Sequence, residues 1–143
     1  PVHGVVGVGR IAAFHPLPDG RSNLVLRAVG RARLVEEVAL DRAFRTFRAQ
    51  VLDTDTGGAD PVLRQLRQLV VQLGSYSDQA SAEAHRLAEL EDEDLVDQLA
   101  RRLFETTDEQ LGYLGLDRLA ERAEKVQGAL AMVLAGRSVV GEG

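Results

Sequence analysis

The segment PLPDGRSNLVLRAVGRARL, residues 16–34, decides the fold class because it joins a tight turn to a long alternating strand. In the turn, Pro18 fixes φ at about −65°, Asp19 tolerates bent backbone, and Gly20 accepts a positive φ. After the turn, apolar residues alternate with arginines. The apolar face holds Leu24, Leu26, Ala28, Ala32 and Leu34, and the basic face holds Arg27, Arg31 and Arg33. The alternation predicts an antiparallel strand with one buried and one solvated face.

Two further segments, one on either side, extend this strand into a sheet. Residues 4–15 precede the turn and the alternating strand, residues 22–36, follows it, so together they predict a β-hairpin. Glycines inside the two strands predict bulges, as in a curved sheet or small barrel. Residues 43–52 predict a third strand, with a helix as the alternative because neither face is cleanly apolar.

From residue 53 the pattern becomes helical. The linker DTDTGGAD leads to Asp60, which is expected to cap a helix that ends at Gly74. Thr107 and Gln110 form a capping-box pattern before a later helix. Asp117 is expected to cap the last helix, which Gly136 ends and whose apolar positions are Leu119, Ala123, Val126, Leu130 and Val133.

The order of these elements predicts an α+β fold, since strands come first and helices follow. An antiparallel, curved β lobe is expected over residues 1–53, and a C-terminal helical bundle over residues 54–143. Charge divides at the same place. Residues 1–52 carry eight arginines and four acidic residues, whereas residues 53–143 carry nine basic and eighteen acidic residues. The division indicates two parts, and it also allows a basic binding face.

Composition excludes several kinds of site. The absence of cysteine excludes disulfides, a cysteine nucleophile and cysteine-based zinc sites. His3, His15 and His85 lie far apart without metal-ligand spacing, so no metal is expected. No apolar run approaches the roughly 20 residues of a membrane helix. We therefore expect a cytoplasmic protein that does not enter a membrane.

The chain also lacks the motifs of an enzyme. The glycines of GVVGVGR, residues 4–10, lie inside a strand rather than before a helix, so they do not form a dinucleotide fingerprint. No phosphate-binding loop or GxSxG motif occurs, and the lone Lys125 lies in mid-helix next to Glu121 and Glu124, as a surface lysine would. We expect no catalytic residue and no cofactor. The arginine strand carries no stacking aromatics and the chain is acidic overall, which disfavours nucleic-acid binding.

Residues 4–37 resemble the middle of the LON domain, the N-terminal substrate-binding domain of the ATP-dependent protease Lon. In that family a Gly-Thr-Val-like strand leads to a Leu-Pro-Asp-Gly turn, and a Val/Leu-rich strand follows that ends in Gly-x-x-Arg-Ala/Val-Arg-Ile/Leu. The matching segments here are residues 4–6, 17–20, 24–26 and 30–34, the last being one residue shorter than the family pattern. The segment DRLAER, residues 117–122, resembles the last family helix more loosely.

The resemblance implies a partial LON-type pseudo-barrel. The family's opening strands do not appear before Pro1, so we expect a fragment whose open sheet edges invite pairing with another copy. The long charged helix that follows the domain in full Lon proteases is not present after residue 143. In this respect the chain resembles the stand-alone LON-domain proteins of many bacteria.

The function that the resemblance implies is a non-catalytic protein-interaction module for unfolded or degradation-bound client polypeptides. One alternative is an N-terminal fragment of an ATP-dependent peptidase, and a weaker one is a nucleic-acid-binding module. Phe14, Phe44 and Phe47 are the candidate polypeptide-binding residues, because aromatics are scarce and these three do not share a clean inward face. The alternative is that they are ordinary core residues.

Overall fold

The structure, a computed structural model, describes residues 2–41 and 43–140. It divides between Asp53 and Thr54 into two compact units, here called the β unit and the helical unit. Within the described residues, three antiparallel strands precede five helices, which confirms the α+β prediction.

The β unit is an open sheet in the order β1-β2-β3, with β1 and β3 at its edges. The bounds are Val5–Pro16 for β1, Ser22–Val38 for β2 and Thr46–Leu52 for β3. The third segment is therefore a strand, and the helix alternative is wrong. Register shifts interrupt β1–β2 pairing at Val8/Gly9 and at Ile11/Ala13, as the glycine pattern predicts for the first of them.

The turn between β1 and β2 forms as its residues predict. The Gly20 amide donates to the Leu17 carbonyl at 3.1 Å, and Gly20 has a φ of 84°. The Asp19 carboxylate accepts from the backbone N–H and from Nε of Arg21, at 3.1 and 2.9 Å. The hydrogen bonds from Arg21 hold the pKa of Asp19 below its usual value. Any residue with a Cβ would be strained at position 20, since a left-handed conformation brings Cβ close to the following carbonyl oxygen.

We expect Gly20→Val to destabilise the hairpin by about 1–2 kcal/mol, because valine is strained at a positive φ. Amide hydrogen exchange of β1 and β2, followed by NMR, measures this loss. Gly7→Val is the matched control, since Gly7 lies in β1 at a negative or extended φ and a Cβ there meets nothing within 4 Å. Equal loss of protection in both variants would contradict the assignment of the turn.

The five helices are α1 (Asp60–Gly74), α2 (Asp78–Ala88), α3 (Asp92–Leu103), α4 (Thr107–Leu114) and α5 (Leu119–Val140). The predicted caps are displaced. Ala59 precedes α1 at the cap position without a side-chain cap bond, so Asp60 is the first helical residue. At α4 the capping box is formed by Thr106 and Glu109, one residue before the predicted Thr107 and Gln110.

The last helix differs from its prediction at both ends. It begins at Leu119, two residues after Asp117, and it continues through Gly136 to Val140, so Gly136 does not end it. Val133 is exposed and Leu134 is buried in its place. Because one helical residue advances about 100° around the axis, this one-residue difference moves the position from the buried stripe to the surface.

The hydrophobic core lies in the helical unit. All of its members fall between Ala59 and Leu134, and the largest fully buried apolar side chains are Leu66, Leu87, Leu95 and Leu130. Helix α1 packs against α2 and α5, and α3 packs against α5.

A buried arginine joins three of these helices. Arg122 is 2% exposed; its Nε donates to the Leu116 carbonyl at 3.0 Å, and Nη1 lies 3.5 and 3.7 Å from the carboxylates of Glu93 and Asp97. Its guanidinium also lies 5.4 Å from the centre of the Tyr113 ring. Nη2 is buried without a hydrogen-bond partner. Burial is the main cause that raises the pKa of the Tyr113 hydroxyl well above its usual value, and the hydrogen bond to Asp97 is the second cause.

Candidate functional site

The β1–β2 hairpin exposes a cluster of large apolar side chains. Ile11 pairs with Leu26, and Phe14 pairs with Leu24. Leu24 and Leu26 are two residues apart on one strand, so they and their partners lie on the same face of the sheet. The exposed fractions are 60% for Ile11, 57% for Phe14, 53% for Leu24 and 60% for Leu26. We call these four residues the hairpin patch.

The hairpin patch corrects the prediction of a half-buried second strand for the first part of β2, whereas Ala32 of the same predicted face is buried and Leu34 is half-buried. Leu24 and Leu26 belong to the face that the alternation assigns to the core, yet both are exposed. The alternation does identify residues that share a face, but burial also needs an element that covers them. Contiguous exposed apolar patches are common at interaction surfaces, so the hairpin patch is a candidate binding site.

The basic face of β2 is also different from its prediction. Arg31 is 8% exposed, so it is buried rather than solvated. Arg10 and Arg27 are exposed and lie directly opposite each other in the β1–β2 register. Neither forms an ion pair with any described residue. Like charges in opposing positions destabilise a strand pair, so this arrangement is unfavourable in the unbound sheet.

A second candidate surface lies at the opposite end of β2, where the connection to β3 encloses a shallow cavity of about 250 Å³. Leu40 and Phe44 line it, and both are exposed. Arg45 donates from Nε and Nη2 to the two carboxylate oxygens of Glu37, at 2.7 and 2.6 Å. This pairing lowers the pKa of Glu37 and raises that of Arg45. The Arg45 guanidinium also lies 5.1 Å from the centre of the Phe47 ring.

The three phenylalanines singled out from the sequence therefore occupy two places. Phe14 belongs to the hairpin patch, whereas Phe44 lines the cavity and the half-buried Phe47 lies beside it. Along β2, the residues that pair with Phe14 and with Phe47 are separated by roughly 40 Å at about 3.3 Å per residue. None of the three belongs to the hydrophobic core cluster.

Sequence reasoning missed the partners of Phe14. Ile11, Leu24 and Leu26 gather around it, and Arg10 stands opposite Arg27, only because of the strand register. That register includes an extra residue, Ala12, between two paired positions, and alternation alone does not place such a bulge.

The described part of the chain offers little for metal chemistry. Among the described residues, no group of three or more His, Cys, Asp or Glu side chains could hold a metal ion. Within the same residues, no helix combines the length and the apolar character that a bilayer span requires.

Comparison with known proteins adds two similarities. Residues 1–132 match the family model described as the ATP-dependent protease La (LON) substrate-binding domain. The N-terminal domain of the Lon protease of the Mycobacterium avium complex is similar in structure, with a TM-score of 0.71 and 12% sequence identity, over 92% of this chain and 72% of that chain. At this identity the structural similarity establishes the fold alone. No curated protein matches.

Proposed function

The chain belongs to the LON substrate-binding domain family, and from that membership we propose that it binds unfolded or degradation-bound polypeptides through the hairpin patch. The observation that carries the proposal is the exposure of four large apolar side chains on one face of a two-stranded hairpin. Unfolded polypeptides expose apolar side chains that folded proteins bury, so this patch offers them a matching surface.

In this proposal the domain binds polypeptides without reacting with them and works in the bacterial cytoplasm. The hairpin patch supplies the apolar area that binding would bury. Whether the gene encodes a stand-alone protein or an ATP-dependent peptidase is decided by its full open reading frame. A nucleotide-binding motif downstream of residue 143 would identify the peptidase, and a stop codon would identify the stand-alone protein.

We expect Phe14→Ser to weaken binding of a fluorescently labelled, permanently denatured protein by about tenfold or more, because Phe14 contributes a large share of the apolar surface that binding would bury. Phe44→Ser is expected to have a smaller effect and Phe47→Ser the smallest, since Phe47 is half-buried beside Arg45. Fluorescence anisotropy titrations of the full chain measure all three.

Val71→Ser is the matched control for this experiment. Val71 is an exposed apolar residue in α1 of the helical unit, away from the hairpin sequence. If Val71→Ser weakens binding as much as Phe14→Ser does, the binding is not specific to the patch. Tight binding that is unchanged in all three phenylalanine variants would remove these residues from the proposal.

A further inference from the structure

Helix α4 is the least buried of the five helices described. Among its eight residues, all of which the structure describes, only Tyr113 is buried. Each of the other four helices buries two or more side chains. A helix as short as α4 is not stable in water by itself. Its folded state therefore depends on how Tyr113 is held against the remainder of the helical unit.

Tyr113 is held by contacts with three side chains. Its hydroxyl donates to the carboxylate of Asp97 on α3. Its ring centre lies 5.6 Å from that of Phe104 and 5.4 Å from the guanidinium of Arg122. A second side chain of α4, Gln110, donates from Nε2 to the Phe104 carbonyl at 3.0 Å. Because α4 buries no other side chain, Tyr113 acts as its main attachment.

The chain is anchored on both sides of α4. Phe104, just before it, is 5% exposed and belongs to the hydrophobic core. After it, the Leu116 carbonyl accepts from the buried guanidinium at 3.0 Å, and the Asp117 carbonyl accepts from the Asp55 amide at 2.9 Å. These anchors confine any local opening to residues 105–115, which we call the lid.

The closed lid leaves one polar group unsatisfied. Nη2 of Arg122 is buried without a hydrogen-bond partner. A buried donor without a partner costs free energy that water would recover. Because the Tyr113 ring is packed beside this guanidinium, its departure would let water approach Nη2. The closed state is thus opposed by this cost and favoured by the contacts of Tyr113.

We propose that the lid opens as a unit while α1, α2, α3 and α5 stay folded, and that Tyr113 is the latch that closes it. Opening exposes Phe104 and Arg122, which are 5% and 2% exposed in the closed state. The helical unit therefore has a second, locally opened form with an aromatic ring and a guanidinium on its surface. This inference is independent of polypeptide binding by the hairpin patch.

Native-state hydrogen exchange of the full chain, measured by NMR at increasing urea concentrations below the unfolding transition, tests the proposal. We expect the hydrogen-bonded amides of the lid to exchange about a hundredfold faster than those of α1 and α5. Their exchange should also depend less on urea, because local opening exposes less surface than global unfolding does.

Two variants test the latch. Tyr113→Phe keeps the ring and removes the hydrogen bond to Asp97, so lid amides should exchange about tenfold faster while the amides of α1 and α5 are unchanged. Gln110→Met removes the weaker attachment and should have a smaller effect of about threefold. Tyr76→Phe is the matched control, because it removes the same hydroxyl from the α1–α2 connection. It should leave the exchange of the lid unchanged.

Three results would overturn the proposal. In the first, the lid amides exchange with the same rate and the same urea dependence as those of α1 and α5. In the second, Tyr113→Phe leaves the exchange of the lid unchanged. In the third, it accelerates exchange equally in every helix, which would show that Tyr113 stabilises the whole helical unit rather than the lid.

Discussion

The Arg122→Ala variant is expected to unfold with a free energy about 3 kcal/mol lower than the unmodified chain, because it removes a buried side chain that holds three helices together. The side chain donates to the Leu116 carbonyl in the α4–α5 connection, lies close to the carboxylates of Glu93 and Asp97 on α3, and stacks near Tyr113 on α4. Urea denaturation followed by far-UV circular dichroism measures the loss.

Two further variants separate the causes of that loss. Arg118→Ala is the matched control one turn earlier, because Arg118 is exposed and its ion pairs with Asp55 and Glu121 are screened by solvent. We expect it to change the free energy of unfolding by less than about 1 kcal/mol. Arg122→Met keeps most of the side-chain volume and removes the buried guanidinium group, whose Nη2 has no hydrogen-bond partner. It is expected to lose less than half as much as Arg122→Ala. Equal losses would show that the guanidinium contacts, rather than packing, determine stability here.

The Leu66→Ala variant is expected to lower the free energy of unfolding of the helical unit by about 3–4 kcal/mol. Leu66 lies fully buried in α1, which packs against both α2 and α5, so its removal leaves a cavity that neighbouring helices cannot easily fill. The midpoint of urea denaturation should fall while the slope stays the same. Val71→Ala in the same helix is the control. Val71 is exposed, and its loss should change the free energy of unfolding by less than about 0.5 kcal/mol.

The local structure of the hairpin could be predicted from the sequence because the signals for it lie within a few residues. Pro18, Asp19 and Gly20 favour a tight turn with a positive φ at the glycine, and the alternation after the turn favours an extended strand. These preferences do not depend on the remainder of the chain. The same is true of the helical spacing after Asp60, which places the end of α1 at Gly74 correctly and its start one residue too late.

Burial could not be predicted in the same way. Alternation shows that Leu24 and Leu26 share a face and that Arg31 belongs to the opposite one, but it does not show which positions other elements cover. In the structure the two leucines are exposed and the arginine is buried. Burial depends on tertiary packing, and the hydrophobic core of this chain lies in its helical unit.

Helix ends show a second limit, because overlapping signals compete. The segment TTDEQ contains a capping-box pattern starting at Thr106 and another starting at Thr107. The structure uses the first, in which the carboxylate of Glu109 accepts from the Thr106 amide. A charged carboxylate is a stronger acceptor than the amide oxygen of Gln110, and it also interacts favourably with the helix N-terminus. Similarly, Gly136 permits a helix end but does not require one.

The candidate site was predicted in part by the scarcity of aromatics. The scarcity of aromatic residues indicates Phe14, but it does not distinguish Phe14 from Phe44 and Phe47. The register shows that Phe14 has three apolar companions, whereas the other two lie near the ion pair of Arg45 with Glu37. The bulge at Ala12 sets which residues oppose each other, and no short sequence signal fixed its position.

The open sheet has a consequence for how the occupied and empty forms should differ. Because its large apolar side chains are exposed and two like charges oppose each other, the unoccupied β unit gains little stability from side-chain burial. Any molecule that covers the patch binds the folded sheet and not the unfolded chain, so by mass action it raises the free energy of unfolding of that unit. A bound polypeptide would then stabilise the β unit, and we expect the midpoint temperature of its thermal unfolding to rise as the polypeptide is titrated in.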